Sequence, residues 1–198
     1  MSKKGGNVNH PKAGASVKVE PIKSLKDIQT IKKLLADKPR DLALFTLGIN
    51  INLRASDLIR LTVGQVRGLK SGDAFELKEQ KTGKVRRITL NGAVIEVMTG
   101  LLASECYEDK DALFKSQRGV LTVPSVHRLV KSWCRAVNLK GNYGSHTLRK
   151  TWGYHQRVTF GTGLPELMEC FGHATQRQTL AYLCIQPEEI KGVYLNEL

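Results

Sequence analysis

The spacing of apolar residues along the chain predicts a series of helices. Between residues 24 and 35, apolar side chains recur every three or four positions, which places them on one face of a helix. Ser24 offers an N-cap hydroxyl at the start of this stretch, and Pro39 follows its end. Helical spacing or a continuous apolar run also marks residues 41–52, 91–105, 124–137, 146–160, 163–172 and 175–183. The chain is therefore predicted to be mostly α-helical.

The apolar period changes between residues 63 and 90. Residues 74–78 and 85–90 form two short runs that are typical of β-strands. Between them, Thr82 and Gly83 suit a hairpin turn. A small antiparallel sheet added to a helical domain predicts an α+β fold.

The composition is that of one globular domain with a basic surface. The chain has 198 residues, 41% of them hydrophobic, and a formal net charge of +13. Counterion release makes such a surface bind polyphosphates, so nucleic acid is the leading partner and a generally basic protein is the alternative. No apolar run is long enough for a membrane span, and the N-terminus lacks the apolar core of a signal peptide. We expect a cytoplasmic protein without a membrane partner.

Two further features of composition set expectations for the tail and the thiols. Residues 1–20 are rich in Gly, Lys and Asn without an apolar period, which predicts a flexible basic tail before a domain covering residues 21–198. The cysteines have apolar neighbours and no C-x-x-C spacing, so they are interpreted as reduced core thiols and a zinc site is not expected. These cysteines are Cys106, Cys134, Cys170 and Cys184.

Four residues in the last quarter of the chain have side chains suited to a reaction on a phosphodiester. His146 and Arg149 lie three positions apart, so their side chains leave one face of the predicted helix. His173 follows Gly172, and Tyr182 lies nine residues further on. A guanidinium and two imidazoles can bind phosphate oxygens and neutralise charge in the transition state. A tyrosine hydroxyl can attack the phosphorus and form a covalent phosphotyrosine, although Tyr182 alone would be interpreted as a core residue.

This order of H-x-x-R, Gly-His and Tyr resembles the active-site pattern of the tyrosine recombinases, the phage integrase family. Residues 54–61 resemble the first box of that family, written R-x-S-[ED]-L-x-x-L, with Arg54 as a second phosphate-binding arginine. Asp57 in this box is interpreted as an acid that orients the Arg54 guanidinium. The resemblance extends over residues 25–182, which is almost the whole predicted domain.

The resemblance implies a catalytic mechanism and the residues that perform it. The implied catalytic residues are Arg54, Lys81, His146, Arg149, His173 and Tyr182. The arginines and His173 would hold the scissile phosphate, and His146 would assist proton movement. Tyr182 would attack to form a 3′-phosphotyrosine, and Lys81 on the hairpin would protonate the 5′ leaving group, with Lys84 as the competing lysine. No cofactor or metal is required.

The resemblance also implies the fold, the partner and the assembly. The fold would be the tyrosine recombinase catalytic domain, with a small three-stranded antiparallel sheet. The partner would be double-stranded DNA, bound by a homotetramer that assembles from monomers. Family members usually carry an N-terminal DNA-clamping domain, so this chain resembles the short members, such as the fimbrial-switch recombinases, and an accessory DNA-binding protein stays an open expectation. The alternative functions are a type IB-like topoisomerase and a non-catalytic DNA-binding regulator.

The remaining assignments concern surface charge and the C-terminal end. Predicted DNA contacts are Lys84, Arg86, Arg87, Arg128, Lys131 and Lys150. For Arg128 and Lys131, on the polar side of the predicted helix 124–137, a solvated charged face is the alternative. His127 and His155 match no family position and are interpreted as surface or structural histidines. Residues 186–198 have apolar positions at helical spacing after Pro187. This amphipathic end is predicted to pack either on its own domain or on a neighbouring subunit.

Overall fold

Nine helices and two small antiparallel sheets make up the part of the chain that the computed structural model describes, residues 18–116, 119–185 and 195. The helices are α1 (Leu25–Leu34), α2 (Pro39–Gly48), α3 (Ala55–Leu58), α4 (Val63–Val66), α5 (Gly92–Ser104), α6 (Val123–Ala136), α7 (Ser145–Val158), α8 (Leu164–Phe171) and α9 (Gln176–Leu183). The strands are β1 (Ala74–Lys78), β2 (Val85–Thr89), β3 (Lys115–Ser116) and β4 (Gly119–Val120). The mostly helical α+β class predicted from the sequence is confirmed.

Side-chain caps and a left-handed residue fix where the helices begin and end. The Ser24 hydroxyl accepts a hydrogen bond from the Asp27 N–H at 3.2 Å, so α1 begins at the predicted cap. The Thr175 hydroxyl accepts from the Gln178 N–H at 3.1 Å and starts α9. Gly172 ends α8 with φ of 68°, a conformation that glycine adopts without a steric penalty.

The core is organised around α2, which is buried on nearly all sides. Ala43, Leu44, Phe45 and Leu47 have no exposed surface. The Phe45 ring meets the edge of the Trp133 ring of α6, with 5.9 Å between the centroids. Each large apolar side chain buried in this way contributes about 1.5–3 kcal/mol to folding. This core supports α3 and α7, the two elements that carry the predicted arginines.

The hairpin predicted from the change of period is present, but its sheet has two strands. Phe75 pairs with Ile88 and Lys78 pairs with Val85 in an antiparallel register. The three-stranded sheet implied by the resemblance is wrong for the described residues, where β3 and β4 form a separate pair. The Gln65 side chain accepts a hydrogen bond from the Thr62 N–H at 2.9 Å, and this bond caps the N-terminus of the short helix α4.

A leading segment, residues 18–23, crosses α7 and belongs to the folded domain. The Glu20 N–H donates to the Asn142 carbonyl at 2.8 Å, and the Ile22 N–H donates to the Thr151 hydroxyl at 2.9 Å. His155 Nε2 lies 2.9 Å from the Ile22 carbonyl, in agreement with a structural role. Residues 18–20 of the predicted tail are therefore held by the domain. Residues 1–17 of that tail lie outside the described residues.

Three sequence expectations concern the thiols, the C-terminal end and membranes. Cys134 is buried, and burial raises the pKa of its thiol to about 12, but Cys106 is exposed, so the assignment of all thiols to the core is wrong. The predicted C-terminal helix lies outside the described residues apart from the exposed Leu195. No helix in the described ranges is long and apolar enough to cross a membrane.

Candidate active site

Arg54 lies at the start of α3 and is paired with a carboxylate on the hairpin. Its Nη1 lies 2.9 Å from Glu79 Oε2, and both side chains are largely buried. This contact is an ion pair without an aligned hydrogen bond, because Nη1 has no acceptor along its N–H directions among the described residues. Glu79 therefore fixes the position of Arg54 but leaves its Nη1 without an aligned acceptor in the described chain.

Glu79 holds more than one partner of the hairpin. Its Oε1 lies 3.1 Å from Arg86 Nη1, and its Oε2 accepts a hydrogen bond from the Thr82 hydroxyl at 2.7 Å. Burial acts to raise the pKa of Glu79, but the hydrogen bonds from Thr82 and Arg86 and the ion pair with Arg54 outweigh it and lower the pKa to about 2. We call Arg54, Glu79, Thr82 and Arg86 the Glu79 network.

Asp57 was expected to orient the Arg54 guanidinium, but in the structure it bonds elsewhere. Its side chain is 1% exposed, and Oδ1 accepts a hydrogen bond from the Gln80 N–H at 2.9 Å. Asp57 thus attaches α3 to the loop that carries Lys81, while Glu79 orients Arg54. Sequence reasoning missed Glu79, whose one visible signal is an acidic residue inside the basic stretch 78–87.

The two candidate lysines are both exposed on the hairpin loop. Lys81 lies close enough to His146 for its charge to act on that ring. Lys84 lines a cleft of about 390 Å³ together with Arg54 and Glu79. Both are therefore near the predicted catalytic residues, and the choice of Lys81 over Lys84 as general acid stays a prediction.

Arg149 on α7 is a buried cation without a carboxylate partner among the described residues. Its side chain is 3% exposed, and its guanidinium carbon lies 5.2 Å from the centroid of the Phe171 ring. Nη2 donates a long hydrogen bond of 3.5 Å to the Phe171 carbonyl, and Nε has no acceptor in the described chain. Burial lowers the pKa of Arg149 to about 10. A buried guanidinium with an unused donor is suited to bind an anion.

His146 precedes Arg149 by one helical turn and is exposed. Partial loss of hydration lowers the pKa of its imidazole, and the positive charges of Arg149, Lys150, Arg54 and Lys81 lower it further. Both effects favour the neutral form of this imidazole.

Phe171, His173 and Tyr182 form an aromatic cluster between α8 and α9. The His173 ring stacks on Phe171 with 5.2 Å between centroids and 16° between planes. The Tyr182 ring lies 5.1 Å from Phe171 and 5.2 Å from His173. His173 Nδ1 lies 3.1 Å from the Thr179 hydroxyl, which orients the imidazole. The left-handed Gly172 reverses the chain between the two stacked rings.

The cluster places the predicted nucleophile beside the arginines. Burial raises the pKa of the Tyr182 phenol, while the charges of Arg149 and Arg54 act to lower it. The pKa of His173 is lowered by desolvation and then by the same two arginines. All six predicted catalytic residues are thus close enough for the charges of Arg54, Arg149 or Lys81 to affect the pKa of His146, His173 or Tyr182.

The predicted DNA contacts divide into exposed and inward-facing groups. Lys84, Arg87, Arg128 and Lys131 are exposed. Arg86 instead bonds inward to Glu79 and to the Asn52 carbonyl. Lys150 is 6% exposed, and its Nζ donates to the Val19 carbonyl at 2.9 Å. This position does not favour the predicted DNA contact of Lys150, because its ammonium is already bonded within the domain.

Sequence comparisons relate the chain to known integrases and recombinases. The model of the phage integrase family matches residues 22–189. The chain is 33% identical over 187 residues to the probable integrase/recombinase YoeC of Bacillus subtilis, covering 89% of this chain and 95% of YoeC. It is 29% identical over 174 residues to the tyrosine recombinase XerC of Caldanaerobacter subterraneus, covering 83% of this chain and 48% of XerC. The chain thus spans about half the length of that XerC.

A solved structure supports the fold. The crystal structure of XerA recombinase superposes on this chain with a TM-score of 0.72 at 17% sequence identity. The match covers 94% of this chain and 66% of that one. The catalytic-domain fold expected from the sequence is therefore confirmed.

Proposed function

The chain belongs to the phage integrase family, and we propose that it is a site-specific DNA recombinase that acts through a 3′-phosphotyrosine at Tyr182. The observation that carries this proposal is the pair of arginines beside the tyrosine, of which Arg149 is buried and Arg54 is largely buried. Arg54 Nη1 and Arg149 Nε both lack an aligned acceptor in the described chain, and both charges act on the Tyr182 phenol. A phosphodiester supplies the acceptors that these donors lack.

The proposed cleavage step is an attack of Tyr182 on the scissile phosphorus. The bond from phosphorus to the tyrosine oxygen forms as the bond to the 5′ oxygen of the next nucleotide breaks. Arg54, Arg149 and His173 stabilise the charge on the non-bridging oxygens, and each such donor contributes about 2.7–4 kcal/mol in related sites. His146 assists removal of the phenol proton, and Lys81 protonates the leaving oxygen.

Rejoining is the reverse of this step. A 5′ hydroxyl attacks the phosphotyrosine, and the tyrosine leaves with a proton. Because the covalent bond stores the energy of the cut strand, the cycle needs no external energy source and is proposed to need no metal or cofactor. The residues that supply each proton and charge are those of the chain itself.

The proposal extends to the domain limits and the assembly. We place the catalytic domain at residues 18–198 and a basic tail at residues 1–17, because the carbonyl or N–H groups of residues 18–20 are bonded to the domain. The partner is double-stranded DNA, with Lys84, Arg87, Arg128 and Lys131 on its phosphates, and four copies act together on two DNA sites. The location is the cytoplasm.

A covalent-trapping experiment tests the function. Nicked duplexes are made from the repeats in the DNA that flanks the gene and from a random-sequence pool, with label upstream of the nick. The protein is expected to become attached to labelled DNA, and Tyr182→Phe is expected to abolish attachment while DNA affinity stays within a few-fold, because no charge is lost. Tyr107→Phe is the matched control, since Tyr107 lies against Lys115 away from the site.

The outcomes separate the competing functions. Attachment without joining of two separate duplexes indicates a topoisomerase. DNA binding without any attachment indicates a regulator that does not cleave. Attachment by Tyr182→Phe would remove Tyr182 from the role of nucleophile.

A further inference from the structure

Lys150 occupies a position that the proposed mechanism does not use. It follows Arg149 on α7, and lysine is rarely buried to 6% exposure without a charged partner. Its ammonium has no carboxylate partner among the described residues and instead donates to the Val19 carbonyl at 2.9 Å. It lines a cleft of about 410 Å³ that also contains His146, His173 and Tyr182.

The ammonium group connects three segments of the domain. Besides Val19 of the leading segment, Nζ lies 3.4 Å from the Cys184 thiol, which follows α9. It also lies 4.9 Å from the centroid of the Tyr182 ring. Cys184 lies in turn 3.7 Å from the same Val19 carbonyl. The leading segment, α7 and the end of the nucleophile helix therefore meet at one charge.

Adjacent cations of α7 contact adjacent rings of the aromatic cluster. The Arg149 guanidinium lies 5.2 Å from the Phe171 ring, and the Lys150 ammonium lies 4.9 Å from the Tyr182 ring. A cation over an aromatic face contributes about 0.5–2 kcal/mol, with the larger values where water is excluded. The Lys150 contact is thus large enough to affect the orientation of the nucleophile.

We propose that Lys150 is a positioning residue for Tyr182, and that its bond to Val19 couples the leading segment to the nucleophile. This inference rests on the proposed function of Tyr182. The leading segment connects the domain to whatever precedes residue 18, so a pull or twist on that segment changes the position of Lys150 and with it the tyrosine. DNA contact by Lys150 is not part of this role.

A substitution that removes the charge but keeps the stem tests the positioning role. Lys150→Met is expected to lower the rate of covalent attachment at saturating nicked DNA by about tenfold, from the cation–ring contribution. The dissociation constant for DNA should stay within twofold. Lys150→Arg, which keeps the charge, should recover most of the rate. Lys33→Met, an exposed lysine on α1, is the matched control and should match the unmodified protein.

The pH profile provides a readout that a packing defect would not change. The groups whose charges act on the Tyr182 phenol are Arg149 on α7, Arg54 before α3 and Cys184. The Lys150 ammonium and the His173 ring lie against the Tyr182 ring itself. Removing one cation from this set makes the phenolate less favourable. The rate profile of Lys150→Met is therefore expected to move to higher pH, whereas that of Lys150→Arg should not move.

A second variant tests the coupling to the leading segment. Asn142 Nδ2 donates to the Lys18 carbonyl at 2.9 Å, one residue from the Val19 acceptor. Asn142→Ala should loosen this segment and reduce the attachment rate by about twofold to threefold. In the Lys150→Met background it should have no further effect, because the connection is already lost.

Several outcomes would overturn the inference. An unchanged attachment rate in Lys150→Met, or a loss confined to DNA affinity, rejects the positioning role. Additive effects of the two variants reject the coupling. If the unmodified protein attaches to no DNA, the proposed function fails separately, and ultraviolet titration of Tyr182 in the protein alone decides the inference. In that titration an equal phenol pKa with and without Lys150→Met overturns it.

Discussion

The Glu79 network and the aromatic cluster hold their functional groups in different ways. In the network, one buried carboxylate contacts Arg54, Arg86 and Thr82 at 2.7–3.1 Å. In the aromatic cluster, the rings of Phe171, His173 and Tyr182 lie 5.1–5.2 Å apart, and the nearby Arg149 has no carboxylate among the described residues.

This difference indicates which half of the site is prepared before DNA arrives. Short contacts between opposite charges depend steeply on distance and direction, so they fix the Arg54 guanidinium and the hairpin. Ring contacts contribute about 0.5–1.5 kcal/mol each and tolerate several orientations. We therefore propose that the Glu79 network is a preorganised phosphate site, and that the orientation of Tyr182 is completed when a phosphate binds the Nε of Arg149, which is free in the described chain.

The sharpest test of this comparison replaces each arginine by methionine. Both Arg149→Met and Arg54→Met should lower the rate of covalent attachment by about 10²–10³-fold, because each removes a donor to the transition state. Their stabilities should differ. Arg54→Met is expected to lose about 1–3 kcal/mol of unfolding free energy, since it removes a partner of a buried carboxylate. Arg149→Met should keep or gain stability, because its charge is buried without such a partner.

Denaturant unfolding and single-turnover attachment measure these two effects. Arg67→Met is the control, since its ion pair with Asp109 is exposed and remote. An equal loss of stability in both site variants would contradict the distinction between the two halves.

The hairpin lysine is tested by changing the leaving group. Lys81→Ala should lower attachment by about 10²-fold, within the range of general-acid catalysis. A substrate with sulfur in place of the 5′ bridging oxygen should restore the rate, because a thiolate leaves without a proton. Rescue of Lys84→Ala instead of Lys81→Ala would assign the general acid to Lys84.

The Glu79 network should also show itself in the pH dependence of stability. The pKa of Glu79 is about 2 in the folded protein, below its ordinary value of 4.5, so its charge stabilises the fold above pH 4.5. Glu79→Gln should lower the unfolding free energy by on the order of 3 kcal/mol at pH 7 and attachment by about tenfold. The difference in stability should shrink as the pH falls from 4.5 towards 2. Glu76→Gln, an exposed change on β1, is the control.

The smallest effect is expected inside the aromatic cluster. Phe171→Leu keeps an apolar side chain but removes the ring that meets His173, Tyr182 and Arg149. We expect a loss of about 1–2 kcal/mol in unfolding free energy and a fall of several-fold in attachment rate. A loss as large as that of Arg54→Met would show that this cluster is as tightly constrained as the Glu79 network.

Local patterns in the sequence predicted most of the elements that build the site. The longer helices followed from apolar spacing, whereas the short helices α3 and α4 did not. Ser24 marked the N-cap of α1 because capping acts within one turn. The hairpin was predicted, whereas the third strand came from resemblance alone. Arg54, His146 and Tyr182 were found because family motifs preserve their spacing.

The contacts that organise those residues were not predictable from local patterns. Glu79 is 25 residues from Arg54, and nothing in the sequence links the two. Asp57 stood nearer in sequence and was assigned to Arg54, but its position on α3 directs it to the Gln80 N–H. Lys150 was predicted to contact DNA, whereas its ammonium donates to the carbonyl of Val19, 131 residues away. Such pairs are determined by packing between elements.

Gly172 sets a limit on how the site can change during evolution. A Cβ at this position would meet no atom within 4 Å, so a side chain would not be excluded by lack of space. The glycine is favoured instead by the left-handed backbone, with φ of 68°. Asparagine adopts this conformation more readily than other residues with a side chain, whereas β-branched residues avoid it. Descendants of this chain could therefore exchange the glycine for asparagine and keep His173 stacked on Phe171. A valine or threonine at the same position would separate the two rings even though every catalytic side chain remained.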